Sequence, residues 1–237
     1  MFTVTERDIA TFILDFSTLV LIGGIYYYSR VFRKRGLPED KLFFAVLIAN
    51  VGVAVTDVLS YIFDEKAFPH AAEIATAGVT AYVLCLTSFF LLIMQYAYAK
   101  KTANQITVKS WFRPILIPGY LLLVLAFVNL FTGWLFSYDE NATYQLGVLL
   151  LPAYIILITY MGISFGTISM VLKERNSRSV LPVWIFMMPF ALGTVIVFVI
   201  YNTASLVPIC LAMSLAFVNM GSLNEILVKS TDKDTEL

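Results

Sequence analysis

Apolar residues in this chain are grouped into seven long stretches, and short polar segments separate them. The hydrocarbon core of a bilayer is about 30 Å thick, so a helix needs roughly 20 apolar residues to cross it. Each stretch reaches that length, and the segments between them are too short to fold on their own. The pattern therefore predicts an all-α membrane protein, a bundle of seven transmembrane helices. The predicted spans are 9–28, 42–63, 72–98, 112–131, 146–172, 179–200 and 205–227.

Basic residues lie almost entirely on one side of these predicted crossings. Lys and Arg are retained in cytoplasmic loops during membrane insertion. Of the 16 Lys and Arg residues, 14 fall after the first, third and fifth spans or in the carboxyl-terminal tail. Only Arg7 and Lys66 fall on the other side. The charge distribution predicts an amino terminus outside the cytoplasm and a cytoplasmic carboxyl terminus.

Composition supports a membrane protein and conceals this asymmetry. The mean hydropathy is +0.83 and 59% of the residues are hydrophobic, while the formal net charge is zero. Acidic residues in the predicted outer loops would attract cations or amines there. His70 is the only histidine, which excludes a histidine metal cluster. We expect no cofactor, no metal and no nucleic-acid partner.

Two carboxylates lie inside predicted spans, where a charged group costs about 2.5–3.5 kcal/mol on insertion scales. Asp15 and Asp57 each lie about six residues from the outer end of a span, which predicts a depth of roughly 9 Å for both. Tyr61 shares a helix face with Asp57, and Glu73 and Thr80 lie on one stripe of the third span. These five residues predict a polar pocket that opens outward between the helices.

Three further residues complete the predicted ligand site. Tyr138 and Asp139 lie in the longest outer loop, TGWLFSYDENATYQ, which we expect to form a small lid. Asn202 closes the outer end of the sixth span. A structural interpretation stays equally open, in which Asp15 and Asp57 share a proton or bond hydroxyl groups of neighbouring helices.

Several kinds of chemistry have no support in the sequence. No lysine lies inside a predicted span, so a retinal Schiff base has no attachment point. The His-Glu-x-x-His zinc signature, the Gly-rich phosphate loop and the serine-nucleophile elbow are absent. No cluster combines an acid, a base and a nucleophile. We therefore expect a protein that is not an enzyme.

Two segments resemble a bacterial family, the amino-terminal seven-helix sensor regions of histidine kinases and GGDEF diguanylate cyclases. In that family a loop of the form FxxDENGxYxxG often precedes the fifth span, and this chain has FSYDENATYQLG there, with Ala142 in place of the glycine. The carboxyl-terminal segment TDKDTEL resembles the start of a GGDEF domain. The matching positions are Asp139, Glu140, Asn141, Tyr144, Gly147, Thr231, Asp232, Thr235 and Leu237.

This resemblance implies a sensor in the bacterial cytoplasmic membrane, the inner membrane of the cell. It would detect an extracytoplasmic or membrane ligand and pass a conformational signal to a cytoplasmic kinase or cyclase output domain, as a homodimer. Residues 1–229 would be the membrane sensor domain. Residues 230–237 would be a cytoplasmic tail, either free or joined to an output domain outside this chain.

A competing hypothesis is a small-solute or ion transporter that couples through Asp15 and Asp57. Proline residues in the later spans favour broken helices of the kind that transporters use. The absence of an evident internal repeat favours the sensor. The sequence does not decide between the two.

Overall fold

The computed structural model describes residues 6–32, 38–63, 70–102, 113–139, 143–175 and 206–220, which are mostly helical. Six helices and two short strands are present in these ranges. They are α1 Glu6–Phe32, α2 Pro38–Phe63, α3 Ala71–Lys101, α4 Arg113–Thr132, β1 Phe136–Tyr138, β2 Tyr144–Leu146, α5 Leu150–Arg175 and α6 Val207–Met220.

The first five helices are long and apolar enough to cross a membrane, and α6 is a shorter apolar helix. The chain is therefore a multi-pass membrane protein. The first five predicted spans agree with α1–α5, although most of these helices extend a few residues further than predicted. The sixth predicted span, 179–200, lies outside the described residues, as do the two ends of the seventh.

Sequence signals explain where two of the helices begin and end. Pro38 opens α2, and Glu39 and Asp40 follow in its first turn, where carboxylates interact favourably with the helix dipole. Lys100 and Lys101 lie in the last turn of α3, where cations are favoured.

Neighbouring helices alternate in direction, with α3 at the centre of the bundle. α3 packs against α2, α4 and α5, and α1 packs against α2. Along α2 and α3, the backbone of Ser60 lies against Gly78, and the Phe43 ring lies 5.6 Å from the Tyr96 ring, so these helices are antiparallel. We call the Ser60 end the outer end, after the charge prediction. A Cβ on Gly78 would lie 3.3 Å from the Ser60 Cα, so glycine permits this close approach.

α1 buries a single seam of side chains. The buried residues are spaced alternately by three and four positions, as in a coiled coil. The outer half of the seam is polar and the inner half is mainly apolar. Its members are Thr11, Asp15, Thr18, Ile22, Ile25 and Ser29. At its inner end, the Ser29 hydroxyl donates a hydrogen bond of 2.8 Å to Asn219 Oδ1 of α6.

A small β-hairpin joins α4 to α5, which the all-α prediction does not include. β1 and β2 are antiparallel, with Phe136 opposite Leu146. The predicted start of the fifth span at residue 146 is therefore wrong, because Leu146 belongs to β2 and α5 begins at Leu150. A Cβ on Gly147 would overlap the Trp134 oxygen and the adjoining backbone, so this position requires glycine.

The amide of Asn129 ties this hairpin to α4. Its Oδ1 accepts hydrogen bonds from the backbone nitrogens of Leu135 at 2.7 Å and Phe136 at 3.3 Å. Its Nδ2 donates to the Phe136 oxygen at 3.0 Å. The side chain is 1% exposed, so these bonds satisfy groups that water does not reach.

The hydroxyl of Tyr160 joins α5 to the backbone of α4. It accepts a hydrogen bond from Gly119 N at 2.8 Å and donates one to the Ile115 oxygen at 2.5 Å. These two backbone groups are four residues apart, the pair that an uninterrupted helix joins directly. Pro118 lies inside the same turn and removes a donor from it. A side chain of α5 therefore bonds two backbone groups in the turn of α4 that contains Pro118.

Candidate ligand site between the first three helices

The carboxyl groups of Asp15 and Asp57 lie next to each other across the α1–α2 contact. The two groups interact electrostatically, and their side chains are 1% and 3% exposed. No N–H or hydroxyl group among the described residues donates a hydrogen bond to either oxygen of Asp15, so the Asp57 carboxyl group is its one polar neighbour there, with which it can share a proton. The structure thus brings together the two acidic residues that the sequence predicts at one depth.

Thr80 of α3 lies at the same level of the bundle. Ser60 is opposite Gly78, Asp57 lies three residues inward from Ser60, and Thr80 lies two residues inward from Gly78. At about 1.5 Å per residue, Asp57 and Thr80 differ in depth by less than about 2 Å. Thr80 is buried, and its hydroxyl has no partner among the described residues. We call Asp15, Asp57 and Thr80 the carboxyl layer.

A second polar layer lies deeper, formed by Asn50 of α2 and Thr87 of α3. Each lies seven residues, two turns or about 10 Å, inward from its neighbour in the carboxyl layer. The contact between Gly52 and Cys85 places the two residues opposite each other. Both are fully buried, and the polar atoms of both side chains lack hydrogen-bond partners within the described part of the chain. We call this pair the amide layer.

Aromatic rings of α2 and α3 lie inward of the amide layer. Phe43, Phe89, Phe90 and Tyr96 are fully buried, and we call them the aromatic layer. The rings of Phe89 and Phe90 are 5.5 Å apart in an edge-to-face arrangement. Such apolar packing excludes water. The polar layers therefore occupy only the outer and middle depths of the bundle.

Tyr154 of α5 also belongs to the surroundings of Asp57. Its side chain interacts electrostatically with the Asp57 carboxyl group. Sequence analysis gave Tyr154 no role, because a tyrosine within an apolar stretch is usually a core ring. Only the packing of α5 against α3 reveals the proximity.

The other predicted site residues lie away from the carboxyl layer or outside the described part. Glu73 lies at the outer end of α3, where its side chain is 79% exposed and pairs with His70 at 3.3 Å. Tyr61 lies in α2, four residues outward from Asp57. Asn202 lies outside the described residues.

Tyr138 and Asp139 take structural roles in the hairpin. Asp139 Oδ1 accepts a hydrogen bond of 2.9 Å from Thr143 N, and Asp139 N donates one of 3.1 Å to the Thr143 oxygen. The Tyr138 ring meets the Tyr144 ring edge-to-face at 5.6 Å. These contacts hold the turn between the two strands, so the carboxylate of Asp139 is engaged there.

Two buried charged residues at the inner end were not predicted. Asp40 lies in the first turn of α2 and Lys100 in the last turn of α3, and both side chains are almost inaccessible. In the sequence they stand at the edges of apolar stretches, where charged residues are ordinarily solvated. They lie inward of the aromatic layer and are therefore separate from the carboxyl layer.

The groove between α4 and α5 is wholly apolar. It has a volume of about 420 Å³, and its lining includes Leu121, Leu125, Trp134, Pro152 and Ile156. It presents no polar side chain to orient a ligand. Its surface matches hydrocarbon and offers no chemistry for a polar solute.

Comparison with protein families, with curated proteins and with solved structures finds no match to this chain. Among the described residues, no group of three or more His, Cys, Asp or Glu side chains is arranged to hold a metal ion. The carboxyl layer, with the amide layer beneath it, is the site whose geometry bears on function.

Proposed function

We propose that this protein is a membrane sensor that binds a small extracytoplasmic ligand at the carboxyl layer. The observation that carries the proposal is the burial of two adjacent carboxyl groups beside a threonine hydroxyl in the outer part of the bundle. Carboxylates at this depth are costly in a bilayer, and apolar side chains would pack there at lower cost. A bound ligand would offset that cost.

α1 is the proposed route of the signal to the cytoplasmic side. Its buried seam contains Asp15 in the outer half and ends at Ser29, about 21 Å further inward. Ser29 is hydrogen-bonded to Asn219 of α6. Because α1 is held by a narrow seam, a ligand that favours one position of α1 would also change its contact with α6.

The directions of the helices support seven crossings. α1 and α3 are both antiparallel to α2, and α5 runs parallel to α3 because Leu91 and Met94 lie level with Tyr160 and Ser164. If α6 ran antiparallel to α1, it would project roughly 13 Å beyond the end of α1. With α5 and α6 running the same way, one more crossing between them is needed, and the apolar stretch 179–200 is the segment that the sequence predicts for it.

The resemblance to kinase and cyclase sensor regions supports the remaining parts of the proposal. They are a location in the bacterial cytoplasmic membrane, a cytoplasmic kinase or cyclase as the receiver of the signal, and a homodimeric assembly. An extracytoplasmic amino terminus and a cytoplasmic carboxyl terminus agree with the distribution of Lys and Arg.

A cysteine pair at the α1–α6 contact tests the coupling. Ser29→Cys and Asn219→Cys are introduced together in a chain carrying Cys85→Ala and Cys210→Ala, and oxidative cross-linking is followed in lipid nanodiscs. We expect Asp57→Asn, which neutralises one carboxyl group, to change the cross-linking rate about fivefold or more, the usual scale of allosteric coupling.

Thr159→Val is the matched control, because the Thr159 hydroxyl bonds only the backbone of its own helix and faces outward. It should leave the rate unchanged. Equal rates in the parent, Asp57→Asn and Thr159→Val chains would refute coupling between the carboxyl layer and the cytoplasmic end.

The second candidate function is ion transport, which the amide layer favours because it extends the polar groups inward. The aromatic layer counts against it, since within the described helices it places buried rings inward of the amide layer. Uptake of Na⁺ into proteoliposomes that is lost in Asp57→Asn would favour transport. A cross-linking rate that changes in Asp57→Asn, in a protein that takes up no Na⁺, would favour the sensor.

A further inference from the structure

The carboxyl layer offers only oxygen atoms to a ligand. These are the carboxyl oxygens of Asp15 and Asp57 and the hydroxyl of Thr80, with the hydroxyl of Thr11 one turn outward. The unpartnered oxygens of Asp15, Thr80 and Thr11 are almost completely buried. Hard cations prefer such oxygen ligands, whereas two carboxylates would repel an anion.

The three helices that surround the layer supply no positive charge of their own at this depth. No Lys, Arg or His occurs in 8–29, 42–63 or 71–98, the parts of α1, α2 and α3 that surround the layer. The charge of the two carboxylates must therefore be balanced by protons, by a bound cation or by both.

Burial limits the size of the cation. The side chains of the layer are 1–3% exposed, so they enclose little accessible surface. A sugar or an organic amine would need a cavity lined by exposed atoms. Ca²⁺ takes about six to eight oxygen ligands and Mg²⁺ keeps several waters, and these side chains leave little accessible space for either shell. A single metal ion of charge +1 is the occupant that best fits this space, and one retained proton completes the charge balance.

Resting on the proposed function, we infer that the ligand of the carboxyl layer is a monovalent metal cation that exchanges with one proton. With both carboxyl groups protonated, the layer is neutral. When one proton leaves and one cation binds, the layer is neutral again, so neither state buries a net charge. Other described titratable groups in this part of the bundle are Tyr154 on α5, which interacts with Asp57, and Tyr82 and Cys85 on α3, two and five residues inward from Thr80.

Thermal unfolding of the full chain in lipid nanodiscs tests this inference. Unfolding is followed in NaCl, in KCl and in N-methylglucamine chloride at constant ionic strength. At least one of the two metal salts should raise the melting temperature by several degrees over the organic salt at saturation. Exchange with one proton predicts that the half-saturating cation concentration falls about tenfold for each unit of rising pH.

Two variants and one matched control locate the binding. Asp15→Asn and Thr80→Val should each abolish the cation-dependent shift. Thr76→Val should retain it, because Thr76 lies one turn outward on the same helix and its hydroxyl bonds the Ala72 oxygen at 2.7 Å. If Asp15→Asn fails to fold, Thr80→Val decides, since it removes one oxygen and no charge.

The outcomes separate this inference from the sensor proposal. Equal melting temperatures in all three salts, or a shift retained in both Asp15→Asn and Thr80→Val, would overturn cation binding at this layer. The sensor would still stand if the Ser29–Asn219 cross-linking responds to Asp57→Asn. If cations raise the melting temperature but the Ser29–Asn219 cross-linking rate does not respond to Asp57→Asn, the cation site stands and the sensor proposal is refuted.

Discussion

The amide of Asn129 is a single side chain that fixes the connection between two helices. It supplies three hydrogen bonds to backbone groups of Leu135 and Phe136, at a point where water does not reach. A buried donor or acceptor that loses its partner costs more than a typical hydrogen bond contributes. The stability of the hairpin should therefore depend strongly on this residue.

We expect Asn129→Ala to lower the free energy of unfolding by about 1–3 kcal/mol, because two backbone nitrogens and one oxygen lose their partner. Limited proteolysis at the turn between β1 and β2 should become faster. Thr132→Ala is the control, since the exposed Thr132 hydroxyl bonds only the Val128 oxygen of its own helix. Equal proteolysis rates in the two variants would mean that Asn129 does not hold the hairpin.

At the scale of single residues, the sequence reveals a candidate site residue when its side chain is polar and the neighbouring residues in the chain are apolar. Asp15 and Asp57 could be found because a carboxylate within an apolar stretch is expensive. Asn129 and Tyr154 could not, since their partners are set by tertiary packing. Glu73 and Asp139 were predicted in the ligand site from their position, yet the structure gives both of them local partners in an outer loop or helix end.

Among the helices, α4 is the element that depends most directly on another. The Tyr160 hydroxyl of α5 satisfies both Gly119 N and the Ile115 oxygen, within the turn that contains Pro118. The Tyr160 ring also leaves no space for a side chain at position 119, where a Cβ would lie 2.7 Å from it. The turn of α4 around Pro118 and Gly119 and the Tyr160 side chain of α5 therefore fit each other in both hydrogen bonding and shape.

Tyr160→Phe should lower the free energy of unfolding by about 1–3 kcal/mol, because it removes the hydroxyl that bonds both Gly119 N and the Ile115 oxygen. Unfolding in detergent measures the change. The cost should be smaller in a Pro118→Ala background, where the α4 turn can close on itself. Tyr120→Phe, at a half-exposed position of α4, should cost less than about 0.5 kcal/mol.

An equal cost of Tyr160→Phe with and without Pro118 would show that the proline plays no part in the arrangement.

The helices themselves were predictable because long apolar stretches leave few alternatives in a bilayer. The hairpin was not, since strands of three residues carry too little periodicity to be recognised. Its strands became part of the predicted loop and of the predicted fifth span.

The whole molecule is oriented, we propose, by the 14 basic residues on one side of the bundle. Single cysteines in a chain carrying Cys85→Ala and Cys210→Ala test this orientation in intact cells. Thr143→Cys in the hairpin should react with a membrane-impermeant maleimide added outside. Lys101→Cys at the end of α3 should react only after the membrane is opened, because it would face the cytoplasm.

Labelling of both cysteines from the same side would contradict the alternating crossings of α3, α4 and α5.

At this scale the sequence predicts a multi-pass membrane protein, which the five long apolar helices confirm. It also predicts orientation, which depends on loop charge and leaves no trace in the packing of the helices. The ligand and the output are not encoded in hydropathy at all, because they depend on a few polar contacts.

The dependence of α4 on Tyr160 has a consequence for biogenesis. While the ribosome is still producing the hairpin, α4 exists without its partner, and the turn around Pro118, which lacks one backbone donor, has no Tyr160 hydroxyl beside it. Unsatisfied backbone groups cost several kcal/mol in hydrocarbon. We expect nascent α4 to stay beside the translocon until α5 emerges, so that the two helices are released into the bilayer as a unit.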